Sequence, residues 1–466
     1  MKLKLVVASM SVLGLISCPV FAATTTKHKY QKHQEETSYK GEEEVANYKG
    51  EAFPRLVTCP KVDMYQPLLD LMNQNIYRAK PTVDCDKPIQ FAGGINFDYQ
   101  MAGPLNFGYM GENNNRFAVN DAYLNATGHV NNWVHAFLEV SFSNIRGVPL
   151  HDSDFFVVGP DASDTPKPGI YSEAYHTNTL TLQQGYIFVG DLEHFPLFAK
   201  LGKQFVNYGQ YVIHPITRTM TQVMTETLQT AAQGSFISGW SGFDFHGSVF
   251  AFENEMGMVD EDDEFILSSN GHRHTNYGAQ LGFGKISDQF GFDVGAGWIY
   301  DMAGINDVAY AITRFHNGET GDDGTYEKRV NGFTVYGLLN TGPFSLSGHY
   351  ATALQHFDAD DLGFSDDDDD DFDDDGAKPW AFDVTGAYNF NYWGKAQNLY
   401  VGYQQSGDAV NLLLPETRWT AGYGIDVLKN TNLTIEYSHD SDYDDDDGGT
   451  GEDSNRVAVR MAVKFG

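Results

Sequence analysis

RVAVRMAVKFG, residues 456–466, writes two incompatible surfaces into alternate positions. In an extended strand Val457, Val459, Met461, Val463 and Phe465 fall on one side, and Ala458, Arg460, Ala462 and Lys464 fall on the other. An apolar face opposite a cationic face suits a strand standing between hydrocarbon and water. Lipid offers the backbone no hydrogen-bond partner, so strands cross it only as a closed ring without free edges. The stretch therefore predicts the last strand of an all-β, transmembrane antiparallel barrel.

The same alternation recurs upstream. Leu433, Ile435 and Tyr437 alternate with Thr434, Glu436 and Ser438, and Trp419, Ala421, Tyr423, Ile425 and Val427 alternate with Thr420, Gly422, Gly424 and Asp426. Only 428–432 joins these two strands, whereas 439–455, leading into the last one, is long and acidic. The rhythm continues over 380–390, 344–354 and 290–300. Short turns at one end and long loops at the other match bacterial barrels, with the short turns on the periplasmic side. Nearer the N-terminus, strands are placed at 90–101, 116–130, 133–143, 178–189 and 197–206, with a weak sixth near 229–237. Ten more follow, giving about 16, an even number as single-chain barrels require. The sixth strand decides the parity, because without it the 254–275 loop would face the periplasm. Trp133, Trp298, Trp380, Trp393 and Trp419, with Tyr300, Tyr388 and Tyr423, cluster near strand ends and fit aromatic girdles at headgroup depth.

Ahead of the barrel, Lys2 and Lys4, an apolar run over 5–16 and the small residues near Ala22 read as a secretory signal over 1–22. Cleavage after Ala22 is the reading adopted; a lipobox-like 15–18 stretch leaves acylation at Cys18 as the alternative. Beyond the signal, no apolar stretch approaches the roughly 20 residues of a transmembrane helix. Residues 23–88 form a small N-terminal periplasmic region, and Cys59 and Cys85 within it are expected to pair as a disulfide in an oxidising compartment. The barrel domain occupies 89–466. Composition agrees with a wall in which every second residue is apolar, with 48 Gly, 32 Phe and 26 Tyr and a mean hydropathy of -0.37. The formal charge of -33 excludes nucleic acid as a partner and leaves outer-membrane lipid, lipopolysaccharide and small solutes.

Residues 206–233 break the rhythm. The segment is rich in Thr, Gln and Met, carries Arg218 and Glu226, and is expected to dip into the lumen and narrow it; a lid packed over the mouth is the competing expectation. Lys203, Arg418, Arg460 and Lys464 are assigned to the lumen with Asp98, Glu139, Asp426 and Glu436, where charges set ion preference. Arg460 and Glu436 lie on adjacent strands, so a cross-strand salt bridge between them is expected at least as much as a selectivity role, and such a pair can do both. The external loops hold most of the acid. Asp371, Asp373, Asp375 and Gly376 resemble the opening of a calcium loop, but its twelfth position is Phe382 instead of glutamate, so only weak calcium binding is expected there. The tip at His272 and His274 is read as exposed. No catalytic motif is legible, so no enzyme activity and no cofactor beyond such calcium is expected.

Two stretches carry a family resemblance. NDAYLNATGHVNNWVHAFLEV, residues 120–140, and FAKLGKQFVNYGQYVIHPITRTMTQVMTETLQTAAQGS, residues 198–235, are similar to the corresponding parts of the LbtU-type siderophore porins. The resemblance implies a plug-less outer-membrane barrel of about sixteen strands admitting a ferric siderophore, and a homotrimer is the assembly common among porins. A general diffusion porin with cation preference is the alternative within this class. A calcium-binding surface or adhesive barrel protein is the alternative outside it.

Overall fold

The computed structural model describes residues 89–465 except 103–115, 132, 144–178, 193, 211–214, 241–242, 255–274, 286–289, 316–325, 327, 364–375 and 445–446. The signal, Cys59 and Cys85, His272 and His274, and the calcium-loop residues Asp371, Asp373 and Asp375 lie outside the described residues. Sixteen antiparallel strands close into one barrel, each paired with its neighbours in sequence and the last with the first. In order they are β1 (Ile89–Ala102), β2 (Arg116–His129), β3 (Val134–Ser143), β4 (Thr179–Gly190), β5 (Leu197–Phe205), β6 (Leu228–Trp240), β7 (Phe243–Glu253) and β8 (Thr275–Lys285). The second half comprises β9 (Phe290–Ile299), β10 (Gly332–Thr341), β11 (Phe344–Ala353), β12 (Trp380–Tyr392), β13 (Lys395–Gly407), β14 (Thr417–Leu428), β15 (Thr431–Ser441) and β16 (Asp453–Phe465). The weak sixth strand forms as the parity argument requires. It was hard to read because its inward positions are Gln229, Gln233 and Ser235, and its outward ones include Ala232 and Gly234.

Closure pairs the decisive stretch with the start of the barrel, setting Val463 opposite Ile95 and Arg460 opposite Asp98. The pleat does the sorting. Outward positions such as Ile95, Leu201, Val249, Leu281, Val401 and Met461 are exposed, and together they form an apolar band. Inward positions such as Asn96, Asn125, Gln184, Gln280, Thr334 and Ser438 are polar and buried. Exposed rings flank the band: Trp133 and Trp393 lie in short turns, while Trp419 packs at a tilt on Tyr403 toward the long-loop end. A closed barrel with an apolar exterior and a polar interior is an outer-membrane protein of bacteria, with its short turns in the periplasm and its long loops outside.

Among the described residues three α-helices decorate the long connections: α1 (Met220–Val223), α2 (Asn306–Phe315) and α3 (Ala359–Leu362). They share one apolar cluster inside the outer mouth. Tyr208, Met220 and Met224 of the β5–β6 connection meet Ile305, Val308 and Ile312 of the β9–β10 connection, Phe357 and Leu362 of β11–β12, and Leu412 and Leu414 of β13–β14. Ile305 just before α2 and Val308, Ala309 and Ile312 within it recur at helical spacing, which is why that helix presents one apolar stripe to the cluster.

Candidate functional site

The β5–β6 connection turns inward at 206–210. Gly209 adopts φ +85°, and a Cβ there would stand 2.7 Å from Thr225, so the reversal needs glycine. Thr219 then caps α1 by accepting the Gln222 amide at 3.2 Å, and Thr225 donates its hydroxyl to the Thr221 carbonyl at 2.6 Å. Thr219, Thr225 and Thr227 are thus spent on the loop's own backbone.

The far side of the loop is fastened to the opposite wall. Glu436 of β15 accepts the backbone amides of Ile216 at 2.6 Å and Thr217 at 2.9 Å, the Thr217 hydroxyl at 2.6 Å and the Tyr400 hydroxyl at 2.7 Å. Met220 donates its amide to Gln404 of β13 at 2.9 Å, and Thr221 donates its hydroxyl to Asp383 of β12, which also meets His349 Nδ1 of β11 at 2.8 Å. Arg418 of β14 donates to the Arg218 carbonyl at 3.2 Å. Asp383 and Gln404 sit three residues inside the outer ends of their strands and Glu436 five, or roughly 10 to 16 Å along the strand. The segment thus crosses the lumen and is not a lid above it.

Arg218 and Glu226, both singled out from sequence, meet on this loop at 3.5 Å. Arg218 also forms a two-pronged pair with Asp307 of α2 at 2.7 and 3.2 Å, tying the two inward connections together. Arg418 pairs with Asp440 at 2.5 and 3.0 Å, and Arg456 approaches the same carboxylate at 4.0 Å. Arg460 grips Asp98 at 2.8 and 2.7 Å. This corrects the expected Arg460–Glu436 bridge. Glu436 faces Ala458 in the register, its oxygens are filled by the loop and Tyr400, and the guanidinium turns to β1 instead.

Lys203 is also corrected. The register sets it beside Gly185 and Thr230 on the outward side, while Lys200, one step earlier in the inward set, is buried in the lumen wall. A one-residue error in parity moves a side chain to the other face. Lys464 does face inward and is half-buried, beside Ala462 and across from Gly94, at the periplasmic end. Sequence reasoning missed Lys200, Asp307, Asp383, Asp440 and Arg456. Alternation could have found the four on strands; Asp307 on α2 carried no such signal. Among the described residues no group of three or more His, Cys, Asp or Glu could hold a metal ion.

No protein-family model matches the chain. A UPF0422 protein of Coxiella burnetii is 25% identical over 263 residues, covering 56% of this chain and 51% of that protein. A UPF0422 protein of Legionella pneumophila is 24% identical over 294 residues, covering 60% and 50%. The chain thus spans about half the length of the curated relatives it matches. Among solved structures, Pseudomonas putida OprB at high pH shows a TM-score of 0.48 and 13% identity, covering 82% of this chain and 95% of that one. Salmonella typhi OmpF in complex with daunomycin shows 0.45 and 14%, covering 81% and 97%. The chain itself is a closed outer-membrane barrel with a loop folded into its lumen.

Proposed function

We propose that the barrel is a passive channel for a selected small solute, a ferric siderophore, across the outer membrane. The observation that carries this reading is the loop pinned from β5 and β6 to Glu436, Asp383 and Gln404 on the opposite wall. A loop held by buried hydrogen bonds narrows the lumen to a fixed outline, which favours selection by size and shape over free diffusion. The stretch carrying the siderophore-porin resemblance, 198–235, comprises β5, this loop and the first part of β6. The resemblance therefore falls on the segment that shapes the passage.

A second reading, a general porin preferring cations, draws on the lumen carboxylates Asp383, Asp426 and Glu436 and on the overall formal charge of -33. Planar-bilayer recordings separate the two. Stepwise conductance that a ferric siderophore interrupts, with slowed growth of a deletion strain on that siderophore as sole iron source, supports the first. Conductance indifferent to the siderophore, with cation selectivity and unaltered growth, replaces it by the second. A barrel that passes no ions removes both.

A further inference from the structure

At the periplasmic end of the lumen a short turn joins β2 to β3, and the last ladder pair before it is histidine on both strands. His129 stands directly opposite His135 in the register. The turn fixes that register through its own hydrogen bonds. Asn131 accepts the amides of Trp133 at 2.9 Å and Val134 at 3.0 Å on its side-chain oxygen, and Val130 donates its amide to the Val134 carbonyl at 3.1 Å. Both imidazoles belong to the inward set that holds Thr127 and Phe137, with His135 2% exposed and His129 half-buried. His135 lies against the Phe188 ring of β4, which packs in turn on Phe198 of β5. The pair therefore has an apolar wall on one side and meets solvent at His129.

The Nδ1 atoms of the two rings are 3.3 Å apart. As a hydrogen bond, that contact lets only one ring carry its proton on Nδ1 and makes the other the acceptor. The same separation is the bite of a tetrahedral metal site, because two nitrogens each about 2.05 Å from Zn2+ and subtending about 109° stand roughly 3.3 to 3.4 Å apart. We propose that His129 and His135 form a two-imidazole site for a borderline first-row divalent cation, Zn2+, Ni2+ or Cu2+, at the periplasmic mouth of the lumen. Imidazole nitrogen selects these ions over the hard Ca2+ and Mg2+, which take oxygen ligands. Binding moves one proton. The donor ring becomes its Nε2–H tautomer, so both rings stay neutral and both Nδ1 lone pairs are free for the metal. No third His, Cys, Asp or Glu joins the pair among the described residues, and Asp191 in the adjacent turn is hydrogen-bonded to His194 at 2.8 Å. The remaining coordination positions go to water, which makes this an exchanging site and not a closed structural one.

The test uses the full-length protein in micelles, purified without a polyhistidine tag, with Cu2+ and Zn2+ as probes. One equivalent of Cu2+ should give an electron paramagnetic resonance spectrum with nitrogen couplings from two imidazoles. His129→Gln should remove one of those couplings and weaken Zn2+ binding, measured by calorimetry, by about tenfold or more. His129 is the position to change because it is half-buried and its replacement leaves His135 packed on Phe188; altered gel mobility before boiling establishes that the variant is folded. His272→Ala with His274→Ala, in the outer connection between β7 and β8, should leave both readings as they are. A wild-type spectrum without two imidazole nitrogens, equal Zn2+ affinity in His129→Gln, or loss of the signal in the outer-connection variant would each overturn the site. Neither reading involves transport, so the proposal is tested apart from the identity of the solute.

Discussion

Tyr400 reaches over Gly422 to donate its hydroxyl to Glu436 Oε2 at 2.7 Å, and the same carboxylate holds the amides of Ile216 and Thr217. One buried side chain thus joins β13, β15 and the loop across the lumen. Hydrogen bonds to a charged group are worth about 1.5 to 3 kcal/mol each. Glu436→Ala should therefore release the far side of the loop while leaving the strand ladders intact. Trypsin should then cut after Arg218 in the folded variant, and conductance should become larger and noisier; a protected Arg218 would mean that the other anchors suffice.

Gly422 offers a sharper probe because no hydrogen-bonding side chain is removed. It pairs with Tyr400 on one side and Glu436 on the other, and a Cβ at this position would overlap the Tyr400 ring. Gly422→Ala should displace that ring from Glu436 and loosen the far side of the loop, in the same direction as Glu436→Ala but less, because the Ile216 and Thr217 amides keep the carboxylate. Adding Tyr400→Ala should restore room for the methyl group, so the double variant should be no worse than Tyr400→Ala alone when compared by urea unfolding in micelles.

The wall was legible in the sequence, and its inner contacts were not. Period-two alternation reports which face a residue takes, so β14, β15 and β16 could be read from Trp419 to Phe465 directly. It failed at Lys203, where glycine at 202 blurs the outward set begun by Leu197 and Leu201. Partners are a different matter. Asp98 and Arg460 meet because the ring closes between the first and last strands, and Glu436 binds backbone amides that have no side-chain signature. The inward loop was suggested by its composition, but its landing points on β12, β13 and β15 depend on the curvature of the whole barrel.

The Arg218–Asp307 pair is mostly buried and links the two inward connections. Asp307→Asn should leave the guanidinium with Glu226 at 3.5 Å as its remaining acidic contact among the described pairs. Breaking a buried pair by removing one charge costs about 3 to 5 kcal/mol when burial is complete, and less is expected here because both groups keep some solvent. In a double-mutant cycle with Arg218→Gln, hydrogen exchange of 216–227 and 306–312 should show coupling of about 1 to 2 kcal/mol. Additive effects would show that the two connections move independently.

Just beyond the outer end of β9, Asp301 is pushed up to about 6 by burial, although Tyr326, the Ala303 amide, Arg329 and Asn254 all favour its charged form. Its usual value is 3.8, so between these limits the folded protein holds the proton more tightly than the unfolded chain. Stability is then fully present below pH 4, falls as pH rises towards 6 and is level above it, by at most about 3 kcal/mol. Hydrogen exchange over 300–312 should slow on acidification through this window. Asp301→Asn should flatten that dependence, and an unchanged slope in the variant would assign the titration to another group.

Val249 stands outward on β7, exposed and paired with Gly234 and Ala279, while Ser248 beside it faces inward. If the apolar band meets acyl chains, Val249→Lys places a charge in hydrocarbon and should cost about 2 to 4 kcal/mol near the midplane. Lysine at Ser248 meets the polar interior, where its cost comes from packing alone. Urea titrations of folding into lipid vesicles should therefore show the larger loss for Val249→Lys, with the difference shrinking in thinner bilayers as the ammonium reaches the headgroups. Equal losses in thick and thin bilayers would mean that this face is covered by protein, as in the interface between copies of an oligomer.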